Sequence, residues 1–466
     1  MKRNVALIVL DTVRKDYFDE FAPQLQDLSD VSFKQSRAAS SWSVPSHGSI
    51  LTGELPHVHG AHADDPGFSS IPQESTFLAG LQQHHKICVS ANVWASSIFE
   101  FTKHFDEYTD VSPRQRFRKG KHMKEFNMWY DSGSKIPKFL EYSLKQDHPL
   151  WTLLNGFYSK TQAKIKQLPI PSPYDDGANA VIDNSLSYIE DNEEPIFLFN
   201  NFMDAHGPAH HMLGYNKNKH SVPLSWNGHD FDYWDINLNK PSNKEKDIEN
   251  YRELYGASID YLDKKVSLFV DELQNKTNRE TTVIITADHG ENLGYSEDEG
   301  LFNHVSSLSE SLLHVPLYII NPPEGYSSEE AGYFSHLDLG TLIKRLATNE
   351  TPDLFNDSIP AELIGGNLAT RNNVPDEELD YWDRMQRCVY DGEYRIVWDS
   401  LDNTDCYKID FERPCWQNKI QSGHTVPESA KDLFSESITS FKDQLENGSE
   451  IIESSARERL DDLGYL

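Results

Sequence analysis

One short segment combines a hydroxyl, a proline and a histidine among small residues. In SWSVPSHGSILTG, residues 41–53, Ser43 precedes Pro45 and His47, and the run closes on a glycine. One interpretation is structural, because a serine often caps a helix that has a proline in its first turn. The other is chemical, because the start of a helix attracts anions and a hydroxyl placed there can act as a nucleophile. The segment alone leaves both interpretations open.

A second segment offers metal ligands. TADHGEN, residues 286–292, brings Asp288 and His289 side by side out of an apolar run and into a glycine turn. Such an Asp-His pair can simply cap a helix, but Asp11 follows another apolar run in the same way. Two carboxylates, one imidazole and the hydroxyl of Ser43 make a suitable ligand set for one divalent cation. We therefore expect these four side chains to bind one metal ion.

A scaffold must bring these distant residues together. Three short, continuous apolar runs, at 5–10, 195–202 and 281–287, have the pattern of parallel strands that are buried on both faces. Each run leads into a polar cluster. These clusters are Asp11-Thr12, Asp204-Ala205-His206 and Asp288-His289-Gly290. Because open α/β sheets place their sites beyond the carboxyl ends of strands, we expect the three clusters to form one site.

The remaining pattern defines the fold class. Apolar residues recur at helical spacing in 178–191 and 253–274, between the predicted strands. From about residue 376, short runs around an Asp-Gly turn predict antiparallel strands, followed by a polar helix. We predict an α/β fold with a mostly parallel central sheet flanked by helices. The predicted catalytic domain covers 1–375, and a smaller antiparallel β plus helix subdomain covers 376–466.

The stretch 101–175 differs from its surroundings because it is rich in aromatic residues and locally basic. Its most basic part is RQRFRKGKHMK, residues 114–124. One interpretation is a solvated basic helix packed on the sheet, and the other is a lid that supplies cationic and stacking contacts to an anionic substrate. We assign the stretch as a helical insertion in the catalytic domain.

Composition narrows the classes of function. The net charge of −31 argues against nucleic acid as a partner, and it requires any anion site to carry local positive charge, most simply a metal ion. No window approaches the roughly 20 apolar residues that cross a bilayer, so we expect no stable membrane insertion. The first apolar run is too short for a secretion signal, which predicts a cytoplasmic protein.

Four motifs, in this order, resemble the sulfatase family of the alkaline phosphatase superfamily. They are NVALIVLDTVRKD, SVPSHGSILTG, TADHGE and FNHVSSLSESLLHVPLYI, and the terminal LDDLGYL is also similar to the tail of many sulfatase-like proteins. The resemblance spans nearly the whole chain. It implies a metal-dependent hydrolase with its nucleophile at Ser43, where sulfatases carry the cysteine or serine that becomes formylglycine.

The resemblance also implies roles for the matched positions. Asp11, Asp288 and His289 match the metal ligands of the family. His206 matches a histidine that contacts the sulfate or phosphate oxygens of the substrate, and His304 matches a histidine common before the VPL strand. These two histidines would stabilise charge on the substrate oxygens, and one would protonate the leaving alcohol.

Several positions depart from the family pattern. His47 replaces the arginine of the sulfatase signature and would contact the anion or only pack. Thr12 stands where calcium-dependent sulfatases usually have a second aspartate, and His289 stands where they often have asparagine. These changes favour manganese or zinc, with calcium as the alternative. Arg14 lies one helical turn past Asp11, and we expect it to support the metal ligands, as Thr12 does, without binding the ion.

The departures also suggest that Ser43 acts unmodified. We predict a hydrolase that cleaves sulfate monoesters of a sulfated sugar or a small organic sulfate, with Ser43, His206, His304 and His47 as its catalytic residues. One alternative is a phosphodiesterase or a transferase of phosphoryl or phospho-head groups. Another is a catalytically silent binding protein of the same fold. The expected partner is an anionic ester, small or part of a glycan, and the oligomeric state stays open.

Overall fold

The computed structural model describes residues 2–111, 120–121, 135–166, 170–189, 194–304, 306–423 and 425–446. One sheet of eight strands forms its centre. Its strands are β1 (Asn4–Leu10), β2 (Val31–Arg37), β3 (His85–Ser90), β4 (Glu107–Asp110), β5 (Ile196–Phe202), β6 (Thr281–Thr286), β7 (Leu317–Ile320) and β8 (Glu329–Ser335). They lie in the order β4-β3-β5-β1-β6-β7-β2-β8. Only β7 is antiparallel to its neighbours, so the prediction of a mostly parallel sheet is confirmed.

The three strands predicted from the sequence are β1, β5 and β6, which are adjacent at the middle of the sheet. Every residue in them is buried, which explains why their apolar runs are continuous rather than alternating. Val9 pairs with Asn201 on one side and with Thr286 on the other. The carboxyl ends of the three strands therefore finish level with one another, at one edge of the sheet.

Helices surround this sheet. They are α1 (Lys15–Phe21), α2 (Pro23–Leu28), α3 (Ser43–Thr52), α4 (Pro56–His59), α5 (Lys135–Leu144), α6 (Pro149–Lys166), α7 (Ala178–Ile189), α8 (Tyr233–Asn239), α9 (Glu245–Lys276), α10 (Glu310–Leu313), α11 (Leu339–Ala347), α12 (Leu368–Asn373), α13 (Leu379–Trp382), α14 (Glu428–Lys431) and α15 (Ile438–Glu446). The helical patterns at 178–191 and 253–274 correspond to α7 and α9. The long helix α9 packs against α1, α2 and α7, and α3 packs against α4 and α11.

A second sheet lies towards the end of the chain and is antiparallel throughout. Its strands are β9 (Ser358–Leu363), β10 (Gln386–Asp391), β11 (Tyr394–Asp399), β12 (Thr404–Ile409) and β13 (Gln417–Ser422), in the order β13-β12-β11-β10-β9. This confirms the predicted antiparallel part of the fold. Its first strand starts at Ser358, ahead of residue 376, and the division of the chain at 375 stays a prediction.

The predicted insertion at 101–175 is described only in part. Helices α5 and α6 occupy its second half. The basic stretch 114–124 lies outside the described residues except for 120 and 121, so the choice between a packed helix and a lid stays open. The terminal LDDLGYL also lies outside the described residues. None of the described helices combines the length and the apolar character that crossing a bilayer requires.

Candidate active site

Ser43 lies at the start of α3, and of the two interpretations of its segment, the one in which Ser43 caps this helix is wrong. The capping position is Trp42, and no side chain caps the helix. The hydroxyl of Ser43 instead lies 3.4 Å from Asp11 Oδ2 and 3.5 Å from His289 Nε2. A serine that is not used as a cap keeps its hydroxyl free for contacts at the carboxyl edge of the sheet.

Asp11, Asp288 and His289 form one buried cluster. One ligand atom from each lies within 4.8 Å of the other two. His289 donates from Nδ1 to the carbonyl of Gly290 at 2.8 Å, which leaves the lone pair of Nε2 facing Asp288 Oδ2 at 3.5 Å and Ser43. The structure thus brings together all four side chains that were predicted to bind a metal ion.

The charges of this cluster suit a divalent cation. Asp11 Oδ1 and Asp288 Oδ2 are buried and accept no hydrogen bond from any described residue. Burial and the neighbouring Asp288 carboxylate raise the pKa of Asp11 well above its usual range. Burial also lowers the pKa values of His47 and His289, so these imidazoles are held neutral and do not balance the carboxylates. Two oxygens without partners and one imidazole lone pair fit a metal ion.

The turn after β1 shows why Thr12 is placed beside the site. Thr12 has a φ of 61°, which is uncommon for a β-branched residue. Its backbone N–H points to Asp288 Oδ1 at 3.4 Å, whereas its hydroxyl donates to the carbonyl of Asp11. Tyr255 of α9 holds the turn, since its hydroxyl donates to the carbonyl of Thr12 and accepts from the N–H of Arg14. Thr12 therefore shapes the site through its backbone.

The glycine that follows the Asp-His pair is required by close packing. A Cβ atom at Gly290 would lie 2.0 Å from the carbonyl oxygen of Ser311. The N–H of Gly290 also donates to the carbonyl of Leu312 at 2.8 Å. Any larger residue would push away the strand end that carries Asp288 and His289.

His47 has both of its ring nitrogens engaged within the protein. Nδ1 lies 2.7 Å from the carbonyl of Ser43 and 3.6 Å from Asp288 Oδ2. The side-chain amide of Asn201 lies 3.1 Å from Nε2 and donates to it. A neutral imidazole that donates to Ser43 and accepts from Asn201 satisfies all of these contacts. This arrangement favours the packing role that the sequence left open for His47 over direct contact with an anion.

His206 and His304 lie next to the cluster, on the side of His289. The ring of His304 lies 4.8 Å from that of His289 and 5.3 Å from that of His206, measured between centroids. Nδ1 of His304 lies 3.3 Å from Glu291 Oε1. Burial raises the pKa of Glu291 to about 7 and lowers those of His206 and His304 to about 4. The carboxyl group of Glu291 thus orients His304, a contact that sequence reasoning missed.

Asn92 is a second residue that sequence reasoning missed. Its amide nitrogen lies 3.0 Å from Ser43 Oγ and 2.5 Å from Asp11 Oδ2, and its amide oxygen accepts from the N–H of Trp94 at 2.8 Å. The Trp94 contact fixes which end of the amide faces the site. Asn92 follows β3, so the rule that located Asp11 and Asp288 at strand ends would have found it too.

Arg14 lies next to the site and contacts the segment that follows the Asp288–His289 pair. Its guanidinium donates to the carbonyl of Glu291 at 3.1 Å and to Asp298 at 3.3 Å, and it forms a second ion pair with Asp16 at 2.7 Å. None of these contacts reaches the carboxylates of Asp11 or Asp288. Its role as a support that does not bind the metal or the substrate stays a prediction.

The fold resembles those of known hydrolases. The phosphonate monoester hydrolase SpPMH from Silicibacter pomeroyi matches with a TM-score of 0.58 at 15% identity, over 99% of this chain and 96% of that one. The structure of BT4656 in complex with its substrate D-glucosamine-2-N,6-O-disulfate matches with a TM-score of 0.56 at 12% identity, over 100% of this chain and 99% of that one. At sequence identities this low, the two matches show that the fold is shared and show nothing more.

Comparison of sequences gives the family. Fold and sequence together define a hydrolase of the alkaline phosphatase superfamily. The chain belongs to the sulfatase family, whose profile, described as Sulfatase, matches residues 3–348. A curated relative, the uncharacterized sulfatase YidJ of Escherichia coli (strain K12), is 29% identical over 105 residues, which cover 22% of this chain and 20% of that protein. Members of the family bind a divalent metal ion, in keeping with the ligand cluster described above.

Proposed function

We propose that this protein hydrolyses sulfate monoesters of a sulfated sugar or a small organic sulfate, with Ser43 as an unmodified nucleophile and a divalent metal ion as cofactor. The observation that carries the proposal is the position of Ser43 Oγ, 3.4 Å and 3.5 Å from two members of a buried carboxylate and imidazole cluster that has no balancing charge of its own. A buried cluster of this kind is costly unless it serves a ligand.

Asp11, Asp288 and His289 would hold the metal ion, with Ser43 as the fourth ligand. When bound, a manganese or zinc ion supplies Lewis-acid stabilisation of the negative charge that develops during attack. The chain itself prepares the nucleophile. The N–H of Asn92 donates to Ser43 Oγ, so the hydroxyl proton faces Asp11 Oδ2 and His289 Nε2. This arrangement favours loss of that proton as Ser43 attacks.

The reaction that follows has two balanced steps. The Ser43 oxygen bonds to sulfur, the bond from sulfur to the leaving oxygen breaks, and that oxygen keeps the electron pair. His206 or His304 donates a proton to the leaving oxygen, which departs as the alcohol. The proton that Ser43 lost then replaces the one that this histidine donated. Water then attacks the sulfur of the serine sulfate and the bond from sulfur to the Ser43 oxygen breaks. One proton of the water restores the Ser43 hydroxyl, and the other is released to solvent with the sulfate. Glu291 keeps His304 oriented during both steps.

A phosphoryl-transfer reaction is the second candidate, as a phosphodiesterase or a transferase of phospho-head groups. The fold is shared with phosphonate monoester hydrolases, and an unmodified serine with an adjacent imidazole suits phosphoryl transfer as well as sulfate transfer. Both reactions place the same nucleophile against a tetrahedral anion. A phosphodiester carries the same single charge as a sulfate monoester, and a phosphate monoester carries more. The choice therefore depends on measured turnover.

Assays on matched substrates test the proposal. Full-length protein is assayed on nitrophenyl sulfate, nitrophenyl phosphate and bis-nitrophenyl phosphate, each with manganese, zinc and calcium. We expect the sulfate ester to be turned over with the highest kcat/KM, and manganese or zinc to outperform calcium. A higher kcat/KM on either phosphate ester would establish the second candidate instead. Absence of turnover on all three, with metal bound, would favour the silent binding protein.

Two controls secure the assignment of the nucleophile. Ser46 lies in the same helix and its hydroxyl donates to the carbonyl of Ser40, so Ser46→Ala changes a neighbouring serine without touching the cluster. Mass spectrometry of the peptide that contains Ser43 should show an unmodified serine, and an aldehyde there would contradict that part of the proposal. The cytoplasmic location expected from the sequence stays a prediction, which fractionation of the native host tests.

A further inference from the structure

A second cleft lies beside the candidate active site. It has a volume of about 610 Å³, within the range of small-molecule sites, and its walls come from α1, the start of α9, the loop at 295–297 and the segment 413–416. Arg14 separates it from the cluster around Ser43. One edge of this guanidinium contacts the carbonyl of Glu291, and the other pairs with Asp16, which lines the cleft.

The cleft holds cations that have no acidic partner. Lys219, Arg252 and Arg413 line it, and none of them forms an ion pair within 4.0 Å of a carboxylate in the part of the chain that the structure describes. The chain as a whole has 74 acidic and 43 basic residues. Three cations that stay unpaired in one cleft of so acidic a protein indicate a place for an external anion.

Each of these cations packs over the face of an aromatic ring. Arg252 lies 3.7 Å from the ring centroid of Tyr295, Arg413 lies 4.7 Å from that of Trp416, and Lys219 lies 5.5 Å from that of Phe21. A guanidinium stacked on a ring keeps the N–H groups at its edge available to an oxyanion. Arg252 is further fixed because its Nε donates to the carbonyl of Leu293 at 2.8 Å.

The carboxylates of the cleft equal its cations in number but do not form ion pairs with Lys219, Arg252 or Arg413. Asp16 is occupied by Arg14, and Glu253 accepts hydrogen bonds from the hydroxyl of Ser221. Glu20 and Glu297 remain, and Arg413 helps to lower the pKa of Glu297, after the hydrogen bond from Ser296. Leaving out the Arg14–Asp16 pair, three cations face three carboxylates, but in the described part of the chain none of these carboxylates lies within 4.0 Å of a charged nitrogen of the three cations.

We propose that this cleft is a separate anion-binding subsite for an acidic sugar unit, one that carries a sulfate or carboxylate group, of the glycan on which the enzyme acts. The stacked guanidinium groups would bind the oxyanion at their edges, and the exposed parts of the aromatic rings would pack on the sugar ring. The identity of the ligand as a glycan rests on the proposed function, whereas the anion site itself does not.

Binding of a defined glycan tests this subsite. Isothermal titration measures the Kd of the full chain for an N- and O-sulfated glucosamine-containing tetrasaccharide, and for the same tetrasaccharide without sulfate. The test variant is Arg252→Ala combined with Arg413→Ala. The matched control is Lys246→Ala combined with Lys431→Ala, which removes the same charge from two exposed lysines that pair with neighbouring glutamates.

We expect the test variant to weaken binding of the sulfated tetrasaccharide at least tenfold, the control variant to bind as wild type does, and the unsulfated sugar to bind at least tenfold more weakly than the sulfated one. Arg252→Lys with Arg413→Lys should retain part of the affinity, and thermal melting checks that each variant is folded. Equal binding by test and control variants, or equal binding of both sugars, would overturn the proposal.

The outcome is separable from that of the proposed function. Nitrophenyl ester turnover does not use this cleft, so the test variant should keep the wild-type kcat. Loss of tetrasaccharide affinity in a protein that hydrolyses no sulfate ester would refute the proposed function and leave the anion site standing. Sulfate ester turnover together with tetrasaccharide binding that ignores Arg252 and Arg413 would refute the subsite alone.

Discussion

Two buried charge clusters in this protein are built on opposite principles. In the first, Glu310 of α10 pairs with Arg37 of β2 at 2.6 Å, accepts a hydrogen bond from the hydroxyl of Tyr390 at 2.6 Å, and lies 3.4 Å from His314 Nδ1. In the second, the cluster around Ser43, two carboxylates lie together with neutral imidazoles and keep two oxygens without partners. The first cluster balances its carboxylate from within the chain, and the second does not.

This difference suggests that the cluster around Glu310 serves stability and that the cluster around Ser43 serves function. Burial opposes ionisation of Glu310, but Arg37 and His314 outweigh it and lower its pKa to about 2. The same burial acts on Asp11 with a second carboxylate beside it, and its pKa is raised. The buried carboxylate of Glu310 has Arg37 beside it, whereas the buried carboxylates of Asp11 and Asp288 have no arginine or lysine partner among the described residues. A cation that balances the carboxylates of this site would have to come from outside the chain, as the proposed metal ion does.

The largest expected effect is on catalysis. Ser43→Ala should lower kcat/KM for the preferred nitrophenyl ester by at least about 10³-fold, because no other hydroxyl among the described residues contacts the side chains of Asp11, Asp288 or His289. Its free energy of unfolding should change little, since the hydroxyl caps no helix. Steady-state kinetics and denaturant titration measure both quantities. Wild-type rates in this variant, with Ser46→Ala also active, would show that the nucleophile lies elsewhere.

Removing one carboxylate from each cluster should have opposite effects on stability. Glu310→Gln leaves Arg37 buried without its partner and should lower the free energy of unfolding by about 3–5 kcal/mol. Asp11→Asn relieves repulsion from Asp288 and should leave the metal-free protein as stable as wild type or more so. Urea denaturation in the presence of a chelator compares the two variants. Equal destabilisation by both would mean that the Asp11 cluster is structural.

The free energy of unfolding should depend on pH through the ionisation of Glu310 in the balanced cluster. Because the folded pKa of Glu310, about 2, lies below its ordinary value of 4.5, this carboxylate stabilises the protein above about pH 4.5. That contribution falls as the pH drops from 4.5 towards 2. Urea denaturation at successive pH values should therefore show a steeper acid loss of stability in wild type than in Glu310→Gln. Identical slopes would contradict the assigned pairing.

The smallest expected effect concerns Asn92. Asn92→Ala removes the hydrogen bond to Ser43 and should lower kcat by roughly 10- to 100-fold, with a small change in KM. Asn92→Asp adds a third carboxylate to the cluster and should lower kcat further unless the metal concentration is raised. Kinetics across a metal titration distinguish the two variants. An unchanged kcat in Asn92→Ala would exclude Asn92 from positioning the nucleophile.

The sequence predicted the parts of this protein that depend on local patterns. Buried parallel strands read as continuous apolar runs, so β1, β5 and β6 were recognisable, and the polar residues beyond them led to Asp11, Asp288 and His289. Strand β3 begins with a histidine and a lysine, His85 and Lys86, and its pattern was not recognised, which is why Asn92 was missed.

Contacts between distant segments could not be predicted in this way. The Ser43 hydroxyl does not cap α3 because it contacts Asp11, Asn92 and His289, in the segments that follow β1, β3 and β6. The balanced cluster joins Arg37, Glu310 and Tyr390, whose separations in sequence follow no periodicity. His47 likewise owes its role to Asn201, 154 residues further along the chain. Such contacts arise from the packing of the whole fold.

The most direct measurement is the metal content of matched variants. Purified protein is stripped with a chelator, titrated with manganese and with zinc, and analysed by calorimetry and by elemental mass spectrometry after gel filtration. One ion should bind per chain in wild type and in Glu310→Gln, and binding should weaken at least 100-fold in Asp11→Asn and in Asp288→Asn. Unchanged binding in both of these aspartate variants would contradict the account, because the unbalanced carboxylates would then serve no cation.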